Sequence, residues 1–231
     1  MIFRLGEQVT SVTTEKDERV IAHLESGKTV RGDALLYAVG RQANSDRLRL
    51  EAAGIVADAR GRIAVDENYQ TSVPHIYAAG DVIGFPALAA TSMEQGRLAV
   101  LHSLGFPVKT STLLLPFGIY TIPEISMVGR TERELTAAKV RYEVGISRFS
   151  ELARAQMIGD ERGLLKLLFD PDTLRLLGVH VMGESATEII HIGQAVLSMG
   201  GTIDYFRDTV FNYPTLAEAY KVAALNGLNK V

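Results

Sequence analysis

The run Ala34-Leu-Leu-Tyr-Ala-Val39, closed by Gly40, constrains this chain more than any other segment. An apolar run without polar alternation reads as a β-strand buried on both faces, as in parallel sheets. Such a strand needs pairing partners at its edges and a layer above and below. The residues before it supply only an antiparallel meander. Val9, Val12, Val20, Ala22, Leu24 and Val30 recur in near-alternation, broken by turns at Glu15-Lys16-Asp17-Glu18 and Ser26-Gly27. Three strands and no helix cannot cover the run, so the sequence reads as a fragment of a longer protein.

A second apolar run, His75-Ile-Tyr-Ala-Ala79, predicts another buried strand, closed by Gly80-Asp81. Between the two runs lies a surface-rich connection with one short predicted strand, Arg62–Val65. After a loop over Val82–Pro86, a helix of some 18 residues is expected. Ala89, Met93, Gly96, Val100 and Leu104 would form one continuous face, and Gly105 with Pro107 would stop it.

Near residue 110 the pattern changes to short strands alternating with helices. The strands are predicted at Phe117–Thr121, Ile125–Val128, Tyr142–Phe149, Leu164–Phe169 and Leu174–Met182. Thr131 with Glu134 and Ser185 with Glu188 both fit capping boxes, and Asp170–Thr173 is a turn. Gly200-Gly201 would end the helix begun at Ser185, and Pro214 would open a last helix reaching about Asn226. This part reads as an antiparallel sheet with helices on one side, an α+β unit. The expected division is 1–42, 43–112 and 113–231, and the fold class is α/β plus α+β.

Charge and composition narrow the function. With 24 Lys+Arg against 27 Asp+Glu there is no basic excess to attract nucleic acid. No apolar stretch approaches the roughly 20 residues that span a bilayer, and the amino terminus has no signal-peptide core. The cysteine count is zero, which excludes disulfides and thiolate metal sites within the chain and fits a reducing, cytoplasmic location. The five histidines include no pair at helical metal spacing, so no metal site is expected. Glu184, Glu188 and His191 fall on one predicted helix, but acidic residues in a first turn are explained by the helix dipole.

The chemistry concentrates at Gly80-Asp81. A carboxylate just past the carboxyl end of a buried strand sits where α/β sheets bind ligands. It can accept a hydrogen bond from a sugar hydroxyl, and the glycine lets a ligand approach the backbone. The helix beginning near Leu88-Ala89 offers free N–H groups and the positive end of its dipole to an electron-rich acceptor.

Read whole, Tyr77-Ala-Ala-Gly-Asp81 resembles the second FAD-binding motif of the two-dinucleotide-binding-domain flavoproteins, the pyridine nucleotide-disulfide oxidoreductases. Leu36-Tyr-Ala-Val-Gly-Arg-Gln-Ala-Asn44 is similar to the companion motif at the exit from the family's NAD(P) domain, in the family's order and at about its distance. The resemblance implies that Asp81 binds the ribityl chain of FAD and that Ala89, with Leu88 beside it, gives the flavin a backbone contact. It places Gly40 near the nicotinamide nucleotide and leaves Arg41 within reach of a phosphate. It also divides the chain into the end of an NAD(P) domain, the second FAD-domain segment and an interface domain that forms a homodimer. The family's two Gly-x-Gly-x-x-Gly loops do not occur in this sequence, so the resemblance covers about the second half of a family member. The chain alone is expected to bind FAD weakly or not at all and to be inactive.

Phe211-Asn-Tyr-Pro-Thr-Leu-Ala-Glu218 resembles the segment that carries a His–Glu acid–base pair in the disulfide reductases. Here Tyr213 takes the His position and Glu218 is kept. A phenol with a reference pKa near 10 is a poor base at neutral pH, whereas hydride transfer between nicotinamides through flavin needs none. Asn212–Tyr220 most resembles the soluble pyridine nucleotide transhydrogenase branch, which implies hydride transfer between NADPH and NAD+. Two alternatives stand beside it. One is a dihydrolipoamide dehydrogenase-like or mercuric reductase-like flavoprotein. The other is a non-catalytic dimerisation module.

Overall fold

The computed structural model describes residues 2–15, 18–107 and 114–231. The chain forms two compact units, Met1–Asn44 and Ser45–Val231. The expected boundary at 112/113 and the middle of the predicted turn at 15–18 lie outside the described residues.

The first unit is the meander that the alternation predicts. Strands β1 (Val9–Thr14), β2 (Val20–Leu24) and β3 (Thr29–Gly32) pair antiparallel in that order. Ala22 and Leu24 are buried, and a tight turn at Gly27 joins β2 to β3, with Gly27 N–H donating to the Leu24 carbonyl at 2.9 Å. The run Ala34–Val39 departs from expectation. It joins no ladder, and Leu36 is 90% exposed. A strand exists through its partners, and among the described residues of this unit none pairs with the run.

In the second unit, residues 45–107 gather around Ile55, Ile63 and Ala78, with Val73, Ile76 and Val82 packed against them. The predicted strands Arg62–Val65 and His75–Ala79 are extended segments held by single bridges, Ala57 with Ile63 and Gln70 with Tyr77. Turn-forming side chains shorten them. Asp66 Oδ1 accepts from the N–H groups of Asn68 and Gln70, and the Thr71 hydroxyl donates to the Ile76 carbonyl.

Helix α1 spans Ala89–Ser103, three residues shorter than the expected 18. Its buried face is Thr91, Gln95, Leu98 and Ala99, whereas Ala89, Met93 and Val100 of the predicted face are exposed, as is Leu104 beyond the helix end. Apolar spacing misassigned the face because α1 packs on a backbone turn, which calls for a buried polar acceptor.

Residues 114–231 build a five-stranded antiparallel sheet. Its strands are β4 (Phe117–Ile119), β5 (Ile125–Gly129), β6 (Glu143–Arg148), β7 (Leu164–Phe169) and β8 (Leu176–Met182), in the order β4-β5-β8-β7-β6. The helices are α2 (Glu132–Ala137), α3 (Ala153–Ile158), α4 (Ala186–Ser198), α5 (Asp204–Asp208) and α6 (Glu218–Leu228). One sheet face is apolar. Leu165, Leu167 and Phe169 oppose Val181, Val179 and Leu176 across the β7–β8 ladder, and Ile190, Phe206 and Tyr220 close the core from α4, α5 and α6. Gly145 permits the approach of α6, since a Cβ there would lie 2.1 Å from the Ala223 carbonyl oxygen. The helices are not all on one side. Lys166 and His180 pair on the opposite face, where Glu132 of α2 binds Lys166.

The Thr131–Glu134 capping box is present, and Asp170 Oδ1 accepts from the N–H groups of Asp172 and Thr173 as the turn predicts. Ser185 caps nothing, since it sits at φ 58° and its side chain makes no cap bond. Glu124 serves the start of α4 instead, its Oε2 accepting from Thr187 N at 3.1 Å and Thr187 Oγ1 at 2.7 Å. Helix α4 ends before Gly200, which adopts φ 65°. Pro214 does not open α6, which begins at Glu218. The Thr215 hydroxyl donates back to the Asn212 carbonyl at 2.7 Å, closing a turn that separates the proline from the helix.

Candidate functional site

Asp81 stands on a 3-10 turn, Gly80–Ile83, directly after the segment that carries Ala78 into the small core. Both ends of the turn are pinned. Gly80 N–H donates to the buried Gln95 Oε1 at 2.7 Å, and Ile63 N–H donates to the Val82 carbonyl at 3.0 Å. Gly80 adopts φ 84° and lies against α1, where a Cβ would sit 3.3 Å from Ser92 Cβ. Only glycine takes this conformation without strain. The carboxylate that follows is thereby held at an exposed position beside α1.

The chain then turns back in short steps. Gly84 N–H donates to the Asp81 carbonyl and Ala87 N–H to the Gly84 carbonyl. Leu88 is the N-cap of α1, in extended conformation and without a side-chain cap, and no acidic residue occupies the first turn. Its carbonyl accepts from Ser92 N and Ser92 Oγ. Gly80 and Asp81 thus lie on a turn anchored to α1 through Gln95 and Ser92, and Leu88 and Ala89 form the start of the same helix, which has no side-chain cap.

The other predicted residues lie elsewhere. Gly40, at φ 69°, and Arg41 belong to the unit Met1–Asn44 and are exposed. Tyr213 is 73% exposed at the approach to α6, and Glu218 is the first residue of that helix. Thr215 N–H lies 3.4 Å from Glu218 Oε2.

Sequence reasoning missed the roles of four residues. Gln95 anchors Gly80, and its signal was a lone amide on a helix otherwise read by its apolar spacing. Tyr77 and His102 join through a 2.8 Å bond between the phenol and Nδ1, linking the strand-like segment to the end of α1. Tyr220 is buried, and its hydroxyl inserts into α4, accepting from Gly193 N–H at 3.1 Å and donating to the Ile189 carbonyl at 2.8 Å. Burial raises the Tyr220 phenol far above its ordinary pKa, so it stays a neutral donor.

Among the described residues no group of three or more His, Asp or Glu side chains could hold a metal ion. No helix among them is long and apolar enough to cross a membrane.

Comparison with known proteins matches residues 1–96 to the family described as pyridine nucleotide-disulphide oxidoreductase. Residues 115–224 match the dimerisation domain of the pyridine nucleotide-disulphide oxidoreductases. A soluble pyridine nucleotide transhydrogenase from Mycobacterium tuberculosis is 56% identical over 229 residues, covering 99% of this chain and 49% of the relative. The protein of the same name from Vibrio cholerae serotype O1 is 57% identical over 218 residues, covering 92% of this chain and 46% of the relative. The chain spans about half the length of the curated relatives it matches. Among solved structures, LpdA from Mycobacterium tuberculosis superposes with a TM-score of 0.84 at 29% identity, covering 95% of this chain and 48% of that one. The HOCl-induced flavoprotein disulfide reductase RclA from Escherichia coli gives 0.85 at 28% identity, covering 94% and 50%.

Proposed function

Because the chain belongs to the pyridine nucleotide-disulphide oxidoreductase family, we propose that it forms part of an FAD-dependent transhydrogenase that moves hydride between NADPH and NAD+. The observation that carries this reading is 56% identity across 99% of the chain to proteins named soluble pyridine nucleotide transhydrogenase, against 28% to a named disulfide reductase. The curated relatives are about twice as long as this chain, so the activity is proposed for the flavoprotein that contains it.

The donor set at residues 80–89 fits FAD. Asp81 would accept hydrogen bonds from the ribityl hydroxyls, and the uncapped first turn at Leu88-Ala89 would face a flavin carbonyl. Gly80, held by Gln95, fixes the carboxylate relative to that turn. Gly40 and Arg41 would lie on the nicotinamide nucleotide. When bound, FAD supplies the two-electron carrier through which hydride passes from one nicotinamide to another. No protein base is required for that transfer.

The proposed division is 1–42 for the end of the NAD(P) domain, 43–112 for the FAD segment and 113–231 for the interface domain. The family matches that end at 96 and resume at 115 support the second seam. The dimerisation-domain match supports a homodimer through residues 113–231, in which Tyr213 and Glu218 would face the partner's flavin. The relatives' description as soluble supports a cytoplasmic, membrane-free protein.

The second reading, a dihydrolipoamide dehydrogenase-like or mercuric reductase-like flavoprotein, draws on the likeness to RclA. Supplying the flavoprotein with NADPH and thio-NAD+, or with lipoamide or glutathione disulfide, separates the two. Transhydrogenation without disulfide reduction is expected; the reverse pattern would favour the second reading. A dimer with neither activity nor flavin would point to the non-catalytic module.

A further inference from the structure

A cavity in the α+β part lies far in sequence from residues 80–89. It encloses about 1070 Å³ and opens on one side, between the end of β5, the start of β8 and one face of α4. Two guanidinium groups, Arg130 and Arg175, and the imidazole of His191 line it, and no carboxylate does. Leucines, Leu114 among them, form much of the remaining wall.

The polar groups are held in place. Arg130 N–H donates to the Leu177 carbonyl at 2.9 Å, fixing its backbone to β8. A Cβ built on Gly200 would lie 3.7 Å from Arg175 Nη2, so that guanidinium rests against the end of α4. Among the described residues neither arginine forms an ion pair; Glu134, which feels the field of Arg130, is committed to its own capping box. Gln194 joins the two ends of the polar wall. Its Nε2 donates to the Leu114 carbonyl at 2.9 Å, so its Oε1 accepts from His191 Nδ1 at 2.7 Å.

We propose that this cavity binds a small organic oxyanion, a phosphate or carboxylate carried on an apolar body. Fork-shaped guanidinium donors match the oxygens of such a group, and the leucine wall takes the body. The cavity size suits a molecule of nucleotide or aryl-phosphate dimensions rather than a bare ion. The inference uses only the α+β residues and stands apart from the flavin assignment.

The test uses the 231-residue chain with phenyl phosphate as probe, followed by titration calorimetry and by perturbation of backbone amide NMR signals. Phenyl phosphate should bind at the signals of residues 129–131, 175–177 and 191–200. Arg130→Gln and Arg175→Gln should each weaken it about tenfold, and phenol should bind at least about tenfold more weakly. Arg175→Lys keeps the charge without the fork and should bind more tightly than Arg175→Gln but less tightly than wild type, which guards against a misfolded Gln variant. Absence of binding, equal affinity in the Gln variants, or inorganic phosphate binding as tightly as phenyl phosphate would overturn the proposal.

Discussion

Replacing Gln95 by leucine should loosen the turn that presents Asp81. The amide oxygen accepts the Gly80 N–H at 2.7 Å in a buried setting, and Gly80 and Gln95 are both buried. Leucine is similar in volume but cannot accept, so a buried donor is left without a partner. That loss costs about 1–3 kcal/mol, more than the net worth of an average hydrogen bond. Gly80 cannot easily turn its N–H to water, because φ 84° and the contact with Ser92 fix its orientation. Urea denaturation followed by circular dichroism should therefore show Gln95→Leu about 2 kcal/mol less stable. Arg97→Ala, two residues on and paired with Glu94 at the surface, should lose less than about 1 kcal/mol. In the flavoprotein, FAD affinity should fall with the first change and not the second. Equal stability of the two variants would refute the claim that Gln95 anchors the turn.

Four further outcomes follow. Tyr220→Phe removes the hydroxyl that bridges Gly193 N–H and the Ile189 carbonyl of α4 and should cost about 1 kcal/mol by the same denaturation assay. Gly145→Ala would drive a methyl into the Ala223 carbonyl and should either lower the melting temperature by several degrees or abolish folding. His180 is pushed down to about 4 by burial and by Lys166, despite Glu132 and Glu134. A depressed folded pKa means the unfolded chain binds the proton first. The stability tied to neutral His180 is thus full above about pH 6.5 and is lost as the pH falls towards 4, amounting to about 2 kcal/mol by pH 5. His180→Leu should flatten the stability profile between pH 7.5 and 5, and an unchanged slope would contradict this. Tyr213→Phe should leave transhydrogenation within about threefold of wild type, because no proton passes through that position; a loss of a hundredfold would show that the phenol takes part.

The interface part was readable because its elements are self-sufficient. Leu164–Phe169 emerges with the predicted bounds, since its neighbours β6 and β8 are both in the chain and its inward residues alternate regularly. Thr131 and Glu134 form their box because every partner is local. Ser185 failed where a distant carboxylate, Glu124, won the first turn of α4; no spacing rule sees a partner 63 residues away. Ala34–Val39 joins no ladder although its hydrophobicity is plain, in keeping with the reading that the meander alone cannot cover it. The face of α1 was misread because the packing partner is the Gly80 backbone, met by an amide rather than an aliphatic side chain. The helix start at Ala89 emerges where the sequence placed it, because the loop before it ends locally at Leu88.

The most direct measurement is the FAD dissociation constant of the flavoprotein carrying Asp81→Ala, read by flavin fluorescence against wild type. Losing a charged acceptor for sugar hydroxyls should weaken FAD about tenfold or more while leaving the melting temperature of the flavin-free protein in place. Unchanged FAD affinity in that variant would contradict the account.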